Sequence, residues 1–491
     1  MKSISIIGAG AAGIMTAATI LESSDSRDFH IHLFEKNNSP GKKVIISGGG
    51  RCNLTTGIED KKILLSKYTR GNEFIKKALG KFSPKKCREW FESHGIPLKC
   101  ESDNRVFPVS DDGSEVVEVF EKIFAKHRDR ISLHYGEGVS TVSMFSSSGT
   151  KGRIQENEKQ SMDSSFYSEG RAQEGILKQF RITTPKGAYE SDILVITTGG
   201  NAYAHTGSAG DGYAFAKSLG HTITTLGPSL SSFLTRESWM HELSGLAFQN
   251  SGIFFSLSSL RSEDLSGKSE EVKRDSHPKS TSNLSFREKG ACVENDKKIE
   301  LSGPLLLTHF GISGPLAFIL SSELAWETID KNHPKEVYFT PLSDMDFASW
   351  EKFLKDQFQN HPKKLITNIL TEKLPRRFVE VFVAYYFSHI ETTFAASISR
   401  SEREKLSKLL GEGIPITLSE RRPGDEFVTA GGVNTDEVNP ETMESRIQKN
   451  LYFAGEVLNV DAVTGGFNLQ ACWAGGYSAG KDISEKINQT N

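Results

Sequence analysis

Three glycines near the start of the chain carry the first chemical signal. Gly8-Ala9-Gly10-Ala11-Ala12-Gly13 follows the apolar run Ile4, Ile6, Ile7 and precedes the helix-like stretch Ile14–Leu21. Strand, glycine turn and helix are the context in which G-x-G-x-x-G binds a pyrophosphate. Gly8 permits the tight turn and Gly10 the close approach of phosphate. Gly13 permits close helix–strand packing, and the amides of Ala11 and Ala12 open the helix towards the anion. A second strand, His30–Phe34, ends on Glu35, 22 residues past Gly13, close to the spacing of a carboxylate that accepts from ribose hydroxyls. Lys36, Lys42 and Lys43 follow it, so the nucleotide end has cations available to phosphate.

Further glycine clusters repeat this theme. Ser47-Gly48-Gly49-Gly50-Arg51-Cys52-Asn53 lets backbone amides approach a ligand, and Arg51 can pair with phosphate or carboxylate. Thr198-Gly199-Gly200 follows the strand Ile193–Ile196, where backbone would cross close to a bound dinucleotide. Near the C-terminus, Leu451-Tyr452-Phe453-Ala454-Gly455-Glu456 reads as a strand ending in Gly-acid, followed by Asp461, then Thr464-Gly465-Gly466-Phe467-Asn468-Leu469-Gln470 and a small-residue helix expected over Ala471–Gly480.

Gly8–Gly13, Glu35 and Ser47–Asn53 together resemble a bacterial flavoprotein family that includes aminoacetone oxidase and the BaiN-type 3-dehydro-bile-acid reductases. The resemblance runs over nearly the whole chain apart from two polar insertions. Thr56 stands where that family usually has Asn, and Asn459 and Ala462 stand where it has Asp and Gly. The resemblance implies FAD, with Glu456 and Asp461 near the ribityl chain and Gly465, Gly466, Phe467, Asn468 and Leu469 at the flavin ring. There a helix N-terminus would favour the negative charge of reduced flavin. It also implies adenine contact by the backbone of Val139, and a further contact from Arg105–Ser110. The family holds both a reductase and an oxidase, so membership does not choose between them.

The elements that must position these residues follow from pattern. A nucleotide fold that opens at residue 4 and closes near 480 is discontinuous. The expected class is α/β: a Rossmann-like, two-dinucleotide-binding FAD domain (1–227 and 425–491), an inserted β-barrel-like domain (228–345 and 411–424) and a helical subdomain (346–410). Trp350, Phe353, Leu354 and Phe358, then Phe378, Val381, Phe382, Tyr385 and Tyr386, recur at helical spacing and read as core. Asp211 reads as a helix N-cap and Gly138-Val139 as a strand start. The stretches 144–178 and 258–298 are polar and without apolar period.

Composition excludes several classes. A net charge of −3 gives no basic signal for nucleic acid, and a small-molecule substrate is expected instead. Five scattered cysteines without C-x-x-C argue against a disulfide framework or a zinc site. No run approaches the roughly 18 apolar residues of a membrane span. The nucleotide strand begins at once, so neither a signal peptide nor a membrane is expected, and a cytoplasmic setting is. Oligomeric state is left open.

The expected activity is FAD-dependent hydride transfer, with NAD(P)H as transient donor docking without a second Rossmann domain. The alternatives are an O2-using oxidase of a small amine or aminoketone, and a flavin-bound regulatory protein. No acid or base stands out as catalytic. His309 is a candidate, and Cys52 is a lone thiol without a nearby partner.

Overall fold

The computed structural model describes residues 1–147, 177–256, 285–288 and 298–489. The polar stretches 144–178 and 258–298 therefore fall largely outside the described residues. One layer is a five-stranded, all-parallel sheet in the order Leu451–Phe453, Ile193–Ile196, Lys2–Ile7, Phe29–Glu35, Ile131–Tyr135. Both ends of the chain thus build one sheet. The central strands are apolar runs because both faces are covered.

One face carries the helices Ala11–Ser23, Ser114–Lys126 and Phe467–Asn488. Small residues let the first and last of these approach closely. A Cβ on Gly476 would stand 2.4 Å from the Ala12 carbonyl oxygen, and one on Gly480 would stand 2.6 Å from Thr19 Cβ. The other face is covered by the antiparallel strands Thr141–Ser147, Leu177–Thr184 and Gly187–Ser191. Between the two sheets lie Phe34, His32, His134 and Tyr189, with the Phe34 and His134 rings stacked at 4.5 Å. Burial, then the neighbouring His30 and His134, hold His32 down to about 4, so that ring is neutral at pH 7.

The chain leaves this layer through Gly227–Ser229 and returns through Val428–Ala430, which pair antiparallel. Between them a six-stranded antiparallel barrel closes. Its order is Ala247–Ser256, Lys335–Thr340, Ile414–Arg421, Phe233–Thr235, Gly311–Ser313, Lys298–Thr308 and back to Ala247–Ser256. Phe233, Ile253, Leu301, Ile312, Val337, Phe339, Ile416 and Leu418 are buried at its centre. Between two barrel strands come the helices Phe347–Asn360, Ile366–Leu370, Arg376–Phe387 and Arg400–Glu412. Trp350, Leu354, Phe378 and Phe382 are fully buried there, as their spacing requires.

Three local expectations change. Ala471 does not begin the last helix, which starts at Phe467; Gly466, at φ +87°, supplies the left-handed entry. Asp211 is not an N-cap: Gly210 takes that position at φ +79°, and Asp211 pairs with Lys36 at 2.7 Å. Gly138-Val139 is loop, and the next strand begins at Thr141.

Candidate active site

A cavity of about 1650 Å³ runs along the C-terminal edge of the parallel sheet and ends against the barrel. Single small-ligand pockets span about 300–1,000 Å³, so this space holds a dinucleotide and more. Its nucleotide-layer wall comes from several loops. Gly8, Gly10, Ala11 and Ala12 line one part, with Glu35 and Lys36 beside them. Lys43, Ser47, Gly48, Gly49 and Asn53 follow, then Val139, Thr198 and Gly199, and finally Gly455, Glu456 and Gly465 to Leu469.

The first turn is shaped for an anion. Gly10 is the N-cap of Ala11–Ser23 and offers no side-chain cap, and the helix has no acid in its first turn. A Cβ on Gly10 would meet nothing within 4 Å, so that side of the turn faces open cavity. Gly8, at φ +101°, crosses so close to Thr197 that a Cβ would stand 2.6 Å from its carbonyl oxygen. Gly13 is not on the cavity. It serves packing alone: a Cβ there would stand 1.9 Å from Gly8 O.

Glu35 is held by Ala9 N–H (2.9 Å) on one oxygen and by Asn37 N–H (2.9 Å) and the Asn37 side chain (2.7 Å) on the other. A carboxylate has about four lone pairs, so the oxygen facing Ala9 keeps one for a hydroxyl. Glu456 is built alike. One oxygen takes Lys43 Nζ at 2.7 Å and the other takes Thr429 N–H at 3.0 Å.

At the far end, the last helix begins with two left-handed glycines, Gly465 (φ +130°) and Gly466 (φ +87°), and no side-chain cap. Its free first-turn amides and positive dipole end therefore lie at the cavity. Several side chains fix this end. With its amide oxygen turned to Gly466, the orientation that satisfies both neighbours, Asn53 accepts from Gly466 N–H at 3.0 Å and donates to Thr55 O at 3.2 Å. Asn468 accepts from Ala462 N–H and donates to Ala462 O. Tyr68 O–H donates to Phe467 O at 2.9 Å, and Trp473 donates to Leu54 O at 3.0 Å.

Five expected site residues do not line the cavity: Gly13, Arg51, Cys52, Gly200 and Asp461. Arg51 pairs with Glu101 (2.8 Å) and Asp111 (3.4 Å) and lies over Phe107, so it is committed to the protein. Cys52 is fully buried, and burial pushes its thiol up to about 12, which removes it as a nucleophile. Gly200 packs on Thr429, where a Cβ would come within 2.6 Å of Oγ1. Asp461 is fully buried, and both its oxygens are taken by Arg70, which also donates to Ser322 O and Oγ. It braces the barrel against the nucleotide layer rather than facing a ligand. His309 sits exposed in the hairpin turn after Lys298–Thr308, away from the cavity.

The barrel-side wall was not read from sequence. It includes Leu230, Gln249, Pro304, Pro315, Phe318 and Phe427, with Tyr203 beside them. These are isolated residues in unrelated segments. Tyr203 follows Gly199-Gly200, Pro304 and Pro315 flank Leu305–Gly314, and Phe427 lies in the return segment Glu426–Val433, but no spacing among them marks a common wall. Among the described residues no group of three or more His, Cys, Asp or Glu is placed to hold a metal, and no helix is long and apolar enough to cross a membrane.

The glycine turn, the ribose-positioned acid and the uncapped last helix on one cavity define a dinucleotide-binding protein of Rossmann type. The HI0933-like protein Rossmann domain matches residues 2–173 and 155–482, and the chain belongs to that family. It is 26% identical over 492 residues to a 3-dehydro-bile acid delta(4,6)-reductase of Clostridium scindens, covering 99% of this chain and 100% of the relative. It is also 26% identical over 487 residues to a ribosomal RNA dihydrouridine synthase of Haemophilus influenzae, covering 98% of each. Among solved structures, a 3-ketosteroid delta1-dehydrogenase from Sterolibacterium denitrificans aligns with TM-score 0.44 and 10% identity, over 99% of this chain and 100% of that one.

Proposed function

We propose that this chain is an FAD-dependent reductase that adds two hydrogens across a carbon–carbon double bond conjugated to a carbonyl, with NAD(P)H as electron donor. The observation that carries this reading is the single cavity on which the pyrophosphate turn, Glu35, the Lys43–Glu456 pair and the uncapped last helix all open. FAD fits that wall. Its pyrophosphate would meet the amides from Gly10 to Ala12, its adenosine ribose the free lone pair of Glu35, and its ribityl chain Glu456. When bound, FAD supplies the capacity to take a hydride from a nicotinamide and pass it to an electrophilic carbon.

The chain's own residues then bind, orient and exclude water. The positive end of Phe467–Asn488 would stabilise negative charge on a bound flavin that reached it. Lys43 and Glu456 neutralise each other half-buried, so neither brings net charge to the ribityl region. The names of the two curated relatives support the class of bond. A delta(4,6)-reductase and a dihydrouridine synthase each reduce a conjugated double bond. A second reading keeps this chemistry and places the double bond in a uridine of RNA, as the name of the second relative suggests.

The test is anaerobic mixing of the flavin-loaded protein with NADH and NADPH, followed by a steroidal 4-en-3-one or a uridine-containing RNA. Bleaching by one nicotinamide and recovery of colour with one acceptor is the expected result. Recovery only with O2 would favour the oxidase, and absence of bleaching by either nicotinamide would remove the proposed donor.

A further inference from the structure

We infer that the barrel-side wall is a stacking subsite for a planar ring bearing a conjugated carbonyl, with Tyr203 and Phe427 as the ring-contacting residues and Gln249 as the polar reader. This rests on the reading above, in which FAD occupies the opposite wall. Three aromatic rings from three separate segments form a row on the cavity. Phe318 meets Phe427 at 5.2 Å between centroids, nearly perpendicular, and Phe427 meets Tyr203 at 5.5 Å. Phe318 lies on the barrel helix Pro315–Glu323, Phe427 on the segment returning to the nucleotide layer, and Tyr203 in the loop after Gly199-Gly200. All three are only half-buried and line the cavity. A core cluster would be sealed; this one keeps ring area facing empty space, as a stacking platform requires.

Two local distortions aim the site. Tyr203 is held at φ +60°, ψ +50°, a region that bulky residues seldom occupy. Its carbonyl accepts from both the amide and the hydroxyl of Thr206, each at 2.8 Å, which locks the turn. Burial, then Asp425, push the Tyr203 phenol up, so it stays a hydrogen-bond donor. On the barrel, the register of Ala247–Ser256 against Lys298–Thr308 slips between Phe248 and Ser251, a bulge opposite Pro304. Asn250 is tied away by Ser343, whose hydroxyl donates to it at 2.6 Å. Gln249 is left exposed at the cavity. Its amide can donate to a ring carbonyl and accept from a ring N–H. Aromatic rings and an exposed amide on one cavity suit a cyclic enone or a uracil ring, whose flat ring gains stacking area that an open-chain enone lacks.

The experiment titrates the oxidised, flavin-loaded protein, which cannot turn over these acceptors, and follows the flavin absorbance. The probes are a steroidal 4-en-3-one, uridine and open-chain pent-3-en-2-one. At least one ring probe should perturb the spectrum saturably and bind about tenfold tighter than pent-3-en-2-one. Tyr203→Ala and Phe427→Leu should weaken that binding about tenfold with flavin content intact, and Tyr203→Phe should restore most of it. The steroid or uridine arm identifies the ring's source. Equal binding of ring and open-chain probes, no perturbation by any probe, or variants matching the parent would overturn the subsite. Protein that holds no flavin would instead overturn the cofactor reading beneath it.

Discussion

The two walls of the cavity are made by opposite means. The nucleotide wall is mostly backbone, glycine turns and helix amides, to which two side-chain carboxylates are added, each with part of its lone-pair capacity already used by the protein. The barrel wall is side chain: three aromatic rings and an amide on a bulge. A backbone wall recognises what all dinucleotides share and resists change, because a Cβ at Gly8 or Gly466 meets backbone and one at Gly10 enters the open cavity. A side-chain wall can be re-cut one residue at a time while the fold stays intact.

The sharpest way to break this comparison lies in the residues that brace the backbone wall from behind and in those that line it. Asp461→Asn should cost the most stability, about 3–5 kcal/mol, because it leaves Arg70 buried without its counter-charge. Thermal unfolding would register the loss, while the flavin affinity of the folded fraction should hold, since Asp461 is off the cavity. A selective loss of flavin with unchanged melting would return Asp461 to the cofactor. Next, Gly13→Ala and Gly10→Ala should separate. The first forces a Cβ against Gly8 O and should cost roughly 1–3 kcal/mol or prevent folding. The second places its methyl in open cavity and should leave the melting temperature near the parent's while flavin occupancy falls.

This contrast also explains what could be read early. G-x-G-x-x-G, Glu35 and the Gly465–Leu469 turn are contiguous motifs, and their physics is local: a turn needing positive φ, a helix end, an acid at strand's end. The discontinuous nucleotide layer follows from where those motifs stand in the chain, whereas the barrel-like insert rests on strand-like segments and the family resemblance. Arg51 and Asp461 looked like ligand residues because their types and motif positions suit phosphate and hydroxyl. Their true partners, Glu101 and Arg70, come from other segments, and no spacing rule points to them. Tyr203, Phe318 and Phe427 lie up to 224 residues apart (427 − 203), so only closure of the barrel onto the sheet brings them together.

A smaller effect sharpens the adenosine end. Glu137 is buried; desolvation raises its pKa, but donors from Thr184, Tyr189 and Lys186 outweigh this and bring it to about 2. Its folded value lies below its unfolded one near 4.3, so its contribution to stability is present above that pH and is lost as pH falls towards 2. Glu137→Gln should flatten the stability–pH curve between about pH 4.5 and 2 in denaturant titrations. An unchanged slope would mean that the hydrogen bonds do not favour the carboxylate.

Whether the backbone wall holds FAD is measured most directly by cofactor content. The full-length protein is purified, its bound chromophore released and identified, and the stripped protein titrated with FAD and with FMN. The expected result is one FAD per chain, tight rebinding of FAD and far weaker binding of FMN, which lacks the adenosine that Glu35 and the Gly10 turn would hold. A protein that carries no flavin and rebinds none, or that takes FMN as well as FAD, would contradict it.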